Sequence, residues 1–258
     1  MTVNILEIAK NIELLAPIEL AESWDNCGWQ ILCENNNINK ALVTLTVELE
    51  DIKYAIKNNI DVIVSHHPVI FTPVKNLTPL TLPGQIILQA IKNNISIYSA
   101  HTNLDKIPGG VSDLLAEKLE LNNIKPLIPE KYIPEAGLGR IGQLPEPTDL
   151  NIFLNKIKKV LNINNIKVVN QPQISKVQNI ALCGGSGAGF INFINPSIDL
   201  YLTGDIKYHD ALEAMNFVLV DADHTNTEQF IVYKIAEILK KLNIDVETTE
   251  SKTPWLIY

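Results

Sequence analysis

The chain has 258 residues, enough for one large or two smaller domains, each with its own core. Its 46% hydrophobic and 19% charged residues are the balance of a soluble globular protein, and a net charge of -8 with a pI near 5.2 leaves no basic footprint for a nucleic-acid backbone. Three cysteines, Cys27, Cys33 and Cys183, form no C-x-x-C pair, so the sequence indicates neither a disulfide framework nor a thiolate zinc site and fits reduced thiols.

The amino terminus, M-T-V-N-I-L-E-I-A-K, lacks a basic region followed by an unbroken apolar core and reads as an amphipathic helix rather than a signal peptide. No apolar run approaches the ~20 residues that span a bilayer. The expected location is the cytoplasm, with no membrane partner.

Helical spacing of Ile5, Ile8, Ile12 and Leu15 predicts a helix over 4–15, closed by Pro17. In 20–32, Asp25, Asn26 and Gly28 mark a turn between Trp24 and Trp29; the tryptophan pair reads as core packing, with one wall of a ligand pocket as the alternative. A strand at 41–47, a helix at 50–59 and a strand at 60–65 make a β-α-β unit. A helix at 84–94 and a strand at 95–100 follow, then H-T-N-L-D, a Pro-Gly-Gly turn and a helix at 111–121.

Residues 122–135 carry prolines at 126, 129 and 134 without a clear period, which places a domain crossing there. Beyond it the pattern predicts a strand at 138–144, a helix at 149–161 and strands at 166–170 and 177–183. The run G-G-S-G-A-G-F, 184–190, fits neither G-x-G-x-x-G nor P-loop spacing; it reads as a tight strand-to-helix turn, with a phosphate cradle as the alternative. A strand at 198–203, a helix with Asp205 as N-cap and His209 on it, a strand at 217–220, a long helix at 227–242 and a last strand at 244–248 complete the chain.

The chemistry gathers around I-D-V-I-V-S-H-H-P-V-I-F, 60–71, where an apolar run ends in two adjacent histidines. The other histidines, His101, His209 and His224, also stand where an apolar run gives way to polar residues. Two successive strands thus end in polar residues at their carboxyl ends, where open α/β sheets place ligands. Adjacent residues of an extended segment point to opposite sides, so His66 and His67 are expected to serve one ion each of a pair. His224 and Glu228 share a helix face, and Asp105 adds a second carboxylate. Imidazoles with carboxylates suit zinc, manganese or iron. His101 is a candidate for proton transfer, for substrate contact or for holding a ligand in place, and His209 for orienting a ligand or for packing. Asp221 and Asp223 read as turn carboxylates rather than ligands.

The stretches S-H-H-P-V-I-F, S-A-H-T-N-L-D, T-G-D-I-K-Y-H-D-A and D-A-D-H-T-N-T-E, with L-A-E-S-W-D-N-C-G before them and T-P-W-L-I-Y at the end, resemble the GTP cyclohydrolase 1 type 2 homologue family, the interacting-factor-three-like proteins. The resemblance implies an α/β fold of two α/β domains, the metal ligands lying at strand carboxyl ends between them. The first domain is then 1–125, completed by the carboxyl-terminal helix and strand in 227–258, and the second is 126–226. It implies two divalent metals held by His66, His67, Asp105, His224 and Glu228, with Glu228 bridging, and ring-shaped homohexamers. Two departures stand out: the interval from Asp105 to Ile180 is too short for the extra domain of longer members, and Asp223 stands where glycine is usual.

The expected activity is a binuclear metal-dependent hydrolase acting on a small molecule, by resemblance a nucleotide: GTP, opened at its imidazole ring by water. The alternative is a metal-binding, metal-delivery or scaffold protein without turnover.

Overall fold

The computed structural model describes residues 2–255; the last three residues of T-P-W-L-I-Y lie outside them. In chain order the elements are β1 (Val3–Asn4), α1 (Ile5–Glu13), β2 (Gly28–Ile31), β3 (Asn37–Ile38), β4 (Lys40–Thr44), α2 (Leu49–Asn58), β5 (Val62–Ser65), α3 (Leu82–Lys92) and β6 (Ser96–Ser99). Then come α4 (Thr102–Lys106), α5 (Val111–Lys118), β7 (Asn122–Pro129), β8 (Gly137–Asp149), α6 (Leu150–Leu161), β9 (Lys167–Val169) and β10 (Lys176–Leu182). Last are β11 (Leu200–Thr203), α7 (Tyr208–Glu213), β12 (Val218–Asp221), α8 (His224–Glu228), α9 (Phe230–Lys240) and β13 (Asp245–Thr248). Among the described residues no helix is long and apolar enough to cross a membrane.

Contacts divide the chain into two compact units. One holds the chain up to Leu104 with Ile231–Ser251; the other holds Asp105–Phe230 and the chain from Lys252 onward. The first contains a five-stranded sheet in the order β13-β4-β5-β6-β2, with β13, β4, β5 and β6 parallel and β2 antiparallel at the edge. Every residue of β5 and β6 is buried, as is β4 after Lys40, which is why these strands read as unbroken apolar runs rather than alternating ones. Leu42, Ile63 and Ile97 pack with Ile52 and Ala55 of α2 and with Ile86, Ile87 and Ala90 of α3. In α1 the Asn4 side chain accepts from Leu6 N (2.9 Å), capping the helix, and Ile5, Ile8 and Ile12 are its buried stripe.

The second unit carries a six-stranded mixed sheet, β7-β8-β10-β11-β12-β9, parallel across β10, β11 and β12. Its strands sort by the two-residue period. Ile180, Leu182, Leu200, Leu202, Val218 and Val220 join the core that contains Leu115, Phe153 and Ile157, whereas Ala181, Cys183, Tyr201 and Leu219 join the cluster with Ile191 and Phe217.

Several elements differ from the sequence expectation. The proline-bearing stretch is not aperiodic linker: 122–129 is β7, at the edge of its sheet, where Pro126 and Pro129 pair opposite Arg140 and Gly137. Edge strands tolerate proline because half their amides need no partner. The contact division falls at 104/105, before this stretch. H-T-N-L-D opens a five-residue helix, α4, and the long helix begins at His224 as two pieces, α8 and α9.

Arg140 is the only arginine in the chain, and it is buried. Its Nε donates to Asp113 Oδ2 (2.8 Å), and Nη2 lies 2.6 Å from the same oxygen. Nη1 donates to the carbonyls of Gly137 (2.6 Å) and Gly139 (2.7 Å), and Nη2 to those of Ile107 (2.9 Å) and Lys106 (3.3 Å). One guanidinium therefore ties β8 to the backbone that directly follows Asp105.

Candidate metal centre

In the first unit the three adjacent parallel strands β4, β5 and β6 end side by side, and their pairing runs on past the strands. His66 N donates to Thr44 O (3.2 Å), His67 N to Leu45 O (2.9 Å) and Ala100 N to Ser65 O (3.0 Å). The Ser65 and Ser99 hydroxyls, 2.8 Å apart, both reach the His67 carbonyl. This fixes the backbone of the histidines before any side chain is considered.

The rings of His66, His67 and His101 converge. Centroids are 5.0 Å apart for His66 and His67, 5.1 Å for His66 and His101, and 5.4 Å for His67 and His101. One donor atom from each lies within 4.8 Å of the others. β5 ends at Ser65, and beyond it the His66 and His67 rings are tilted by 47° to one another.

Each ring is held through Nδ1. His66 Nδ1 hydrogen-bonds Ala100 O (2.8 Å), His67 Nδ1 hydrogen-bonds Thr46 Oγ1 (2.7 Å), and His101 Nδ1 hydrogen-bonds Asp25 Oδ1 (2.8 Å). An imidazole whose Nδ1–H is donated presents Nε2 as its lone pair, the arrangement found behind metal-bound histidines. Asp25 is itself buried and accepts from Thr102 N (3.0 Å) and the Thr102 hydroxyl. Burial works against its charge, yet the hydrogen bonds from His101 and Thr102 and the nearby imidazole hold the carboxyl well below the usual carboxylate range. The sequence reading gave Asp25 only a turn.

The second unit contributes its own set. His224 Nε2 lies 3.0 Å from Glu228 Oε2, one helical turn along α8, and His224 Nδ1 hydrogen-bonds Asp205 Oδ2 (2.7 Å). Burial disfavours the imidazolium, but the Glu228 and Asp205 carboxylates push His224 up to about 10. Asp205 is therefore a holder of His224 and not the expected N-cap; α7 starts after Lys207, whose backbone N bonds Asp210 Oδ2 (3.0 Å). Asp105 lies on α4.

The glycine run is the other feature whose role was not legible. Gly185, at φ 65°, lies so close to Glu228 that a Cβ there would overlap Oε1 and come within 3.3 Å of His224 Nε2. Three of its amides are spent inside the protein: Gly184 N donates to Ser112 Oγ (3.2 Å), Gly185 N to Thr227 Oγ1 (3.0 Å) and Gly187 N to Thr203 Oγ1 (2.8 Å). At Gly185 the run is a backbone wall for α8.

His209 and the two aspartates Asp221 and Asp223 take other roles. His209 is exposed on α7, its ring 5.3 Å from Tyr208. Asp221 pairs with Lys167 (2.9 Å). Asp223, at φ 72° and ψ 144°, is the N-cap of α8 and accepts from Asn226 Nδ2 (3.1 Å) and Thr253 Oγ1 (3.2 Å). That φ explains why glycine is usual at this place. The tryptophans part company: Trp29 packs edge-on against Tyr98 (5.1 Å), whereas Trp24 meets His101 (6.3 Å) and Phe71 (5.9 Å).

The donors are imidazole nitrogen and carboxylate oxygen with no thiolate, and the histidine cluster with its preset rings fits a divalent metal. The model of the Duf34/NIF3 (NGG1p interacting factor 3) family matches residues 3–254. A GTP cyclohydrolase 1 type 2 homolog of Clostridium perfringens is 35% identical over 252 residues, covering 95% of each chain. Among solved structures, a Bacillus cereus protein related to NIF3 superposes with a TM-score of 0.89 at 26% identity over 99% of both chains. Reduced HcgD from Methanocaldococcus jannaschii does so with a TM-score of 0.85 at 32% identity, over 97% of this chain and 99% of its own. Match and clusters together support a metal-binding protein. The chain belongs to the Duf34/NIF3 family.

Proposed function

We propose that the chain is a divalent-metal-dependent hydrolase whose two ions are held by His66, His67, Asp105, His224 and Glu228, with Glu228 bridging them. The observation that carries the reading is the common orientation of the rings: His66, His67 and His224 are each fastened through Nδ1, to a carbonyl, a hydroxyl and a carboxylate. Simple packing of histidines has no need of that agreement.

When bound, such ions supply Lewis acidity, activating water near neutral pH and polarising the group it attacks. The chain's own residues do the rest. The Ala100 carbonyl and the Asp205 carboxylate accept from Nδ1 of His66 and His224 and so set their tautomer, Thr46 orients the His67 ring, and Gly185 leaves room for the Glu228 carboxylate. His101, oriented by Asp25 through Nδ1, keeps Nε2 to move a proton on or off the substrate. The relatives called GTP cyclohydrolase 1 type 2 homolog support GTP as the substrate, with one water adding at C8 to open the imidazole ring to a formamide and a second water hydrolysing that formamide to release formate. A cytoplasmic homohexamer is part of the same reading, to be weighed by light scattering.

The test has two stages. Metal content is measured on protein purified without added metal, beside His67→Ala and Glu228→Ala; two ions per chain, lost in both variants, is the expected result. Formate release from GTP with zinc, manganese or iron is then compared with Glu228→Ala. No release above that control removes the cyclohydrolase assignment. Metal that passes to a chelator while nucleotides, phosphodiesters and amides stay intact identifies a carrier instead.

A further inference from the structure

His101 belongs to two groups of rings at once. On one side are His66 and His67. On the other are Trp24 and Phe71, each with its centroid 6.3 Å from His101 and 5.9 Å from one another, all edge-to-face. Trp24 is 58% exposed and Phe71 53% exposed.

Large aromatic rings left this open are usually scattered, but these two adjoin one another on backbone that is held. Asn26 Nδ2 donates to Ile70 O (2.7 Å), Ile70 N donates to Gln30 Oε1 (3.1 Å), and Gln30 Nε2 donates to Asn26 O (2.6 Å). This clamp locks the backbone two residues after Trp24 to the backbone one residue before Phe71. Between them, Asp25 is anchored on Thr102. The backbone beside each ring is thereby fixed, and the two rings meet each other and His101 edge-on. Exposed aromatic surface that is already ordered binds a partner at a low entropic cost.

We propose that Trp24 and Phe71 form a stacking seat for a planar heteroaromatic ring, so that the substrate of the proposed hydrolase presents such a ring beside His101. The inference rests on the hydrolase reading for the word substrate; the seat itself needs no metal. An electron-rich indole face suits a polarised flat ring such as a purine, a pteridine or a pyridine. His101, edge-on to both aromatics, supplies the polar contact at the rim of that ring.

Ligand-observed NMR on the full chain, with guanosine, nicotinamide and ribose as probes, tests this. Guanosine and nicotinamide are expected to bind and ribose not to. Trp24→Leu is expected to weaken guanosine binding by about tenfold or more, the usual loss when a base loses its aromatic partner. Trp24→Phe should stay within about threefold of the parent, since a ring of either kind can stack. Phe71→Leu weakens binding in the same direction, and unchanged melting curves show that the variants are folded. The seat is overturned if ribose binds as well as guanosine, if neither flat ring binds the parent protein, or if Trp24→Leu binds guanosine as the parent does. Metal analysis of the same preparations separates the two readings. Ring binding by protein that takes up no divalent ion sinks the metal centre and keeps the seat, and two bound ions without ring binding do the reverse.

Discussion

Replacing Arg140 by methionine keeps most of the aliphatic stem and removes the guanidinium. What remains is a carboxylate, Asp113, with only 13% of its side chain exposed, and four carbonyls, of Lys106, Ile107, Gly137 and Gly139, that lose a donor. Taking one partner from a buried pair leaves an uncompensated charge and costs about 3–5 kcal/mol. Since whole domains are stable by roughly 5–15 kcal/mol, the loss is a large share of what holds the second unit folded. Urea unfolding followed by circular dichroism reads it as a fall in midpoint. The double variant Arg140→Met with Asp113→Leu should recover at least half the loss, because the stranded charge is gone and apolar groups replace the pair. Arg140→Lys should recover little, since an ammonium cannot reach five acceptors in the plane of the fork. If Arg140→Met unfolds within about 1 kcal/mol of the parent, this accounting of the buried pair is wrong. A second readout follows from position: the carbonyls that Arg140 holds lie immediately after Asp105, so metal affinity should fall with stability.

Gly185→Ala forces a methyl onto the Glu228 carboxylate and puts alanine at φ 65°, so metal affinity measured by competition with a chelator should drop by about 10–100-fold, the range for disturbed ligand support. Asp223→Gly should stabilise the protein by roughly 1 kcal/mol, because relief of a backbone conformation that only glycine adopts cheaply outweighs the few tenths lost with the cap; a lower melting temperature would refute that balance. Burial and the neighbouring Asp25 carboxylate push the Cys27 thiol up to about 11. Because the thiolate is the reactive form, alkylation of Cys27 in a Cys33→Ser, Cys183→Ser background should keep rising about tenfold per pH unit from pH 7 up to about 11, and a plateau near pH 9 would contradict it.

What the sequence made legible was set by local regularity. Ile63, Val64 and their neighbours are buried on both faces, so β4, β5 and β6 announce themselves as apolar runs, and the histidines at their ends are conspicuous because the runs stop there. The holders of those histidines were not legible. Asp25 lies 76 residues from His101, Thr46 lies 21 from His67 and Asp205 lies 19 from His224, and each has a common local role, in a turn, a strand end or a helix cap, that hides the distant one. Arg140 was invisible for a related reason: one charge in an apolar strand looks like a solvent-facing residue until all its acceptors are in place. β7 was missed because two prolines argue against a strand unless its edge position is known.

The parallel pairing of β13 with β4, Asp245 opposite Lys40, has a consequence for the order of synthesis. By the time β13 leaves the ribosome, the whole of Asp105–Phe230 has been made and is free to fold. At about 5–20 residues per second, the roughly 150 residues after Leu104 take on the order of 7–30 s. Throughout that interval the β4 edge of the earlier sheet has no strand on it, and an unpaired edge is a template for pairing with another chain. A nascent chain interrupted before Asp245 thus leaves that edge open although Asp105–Phe230 has already been made.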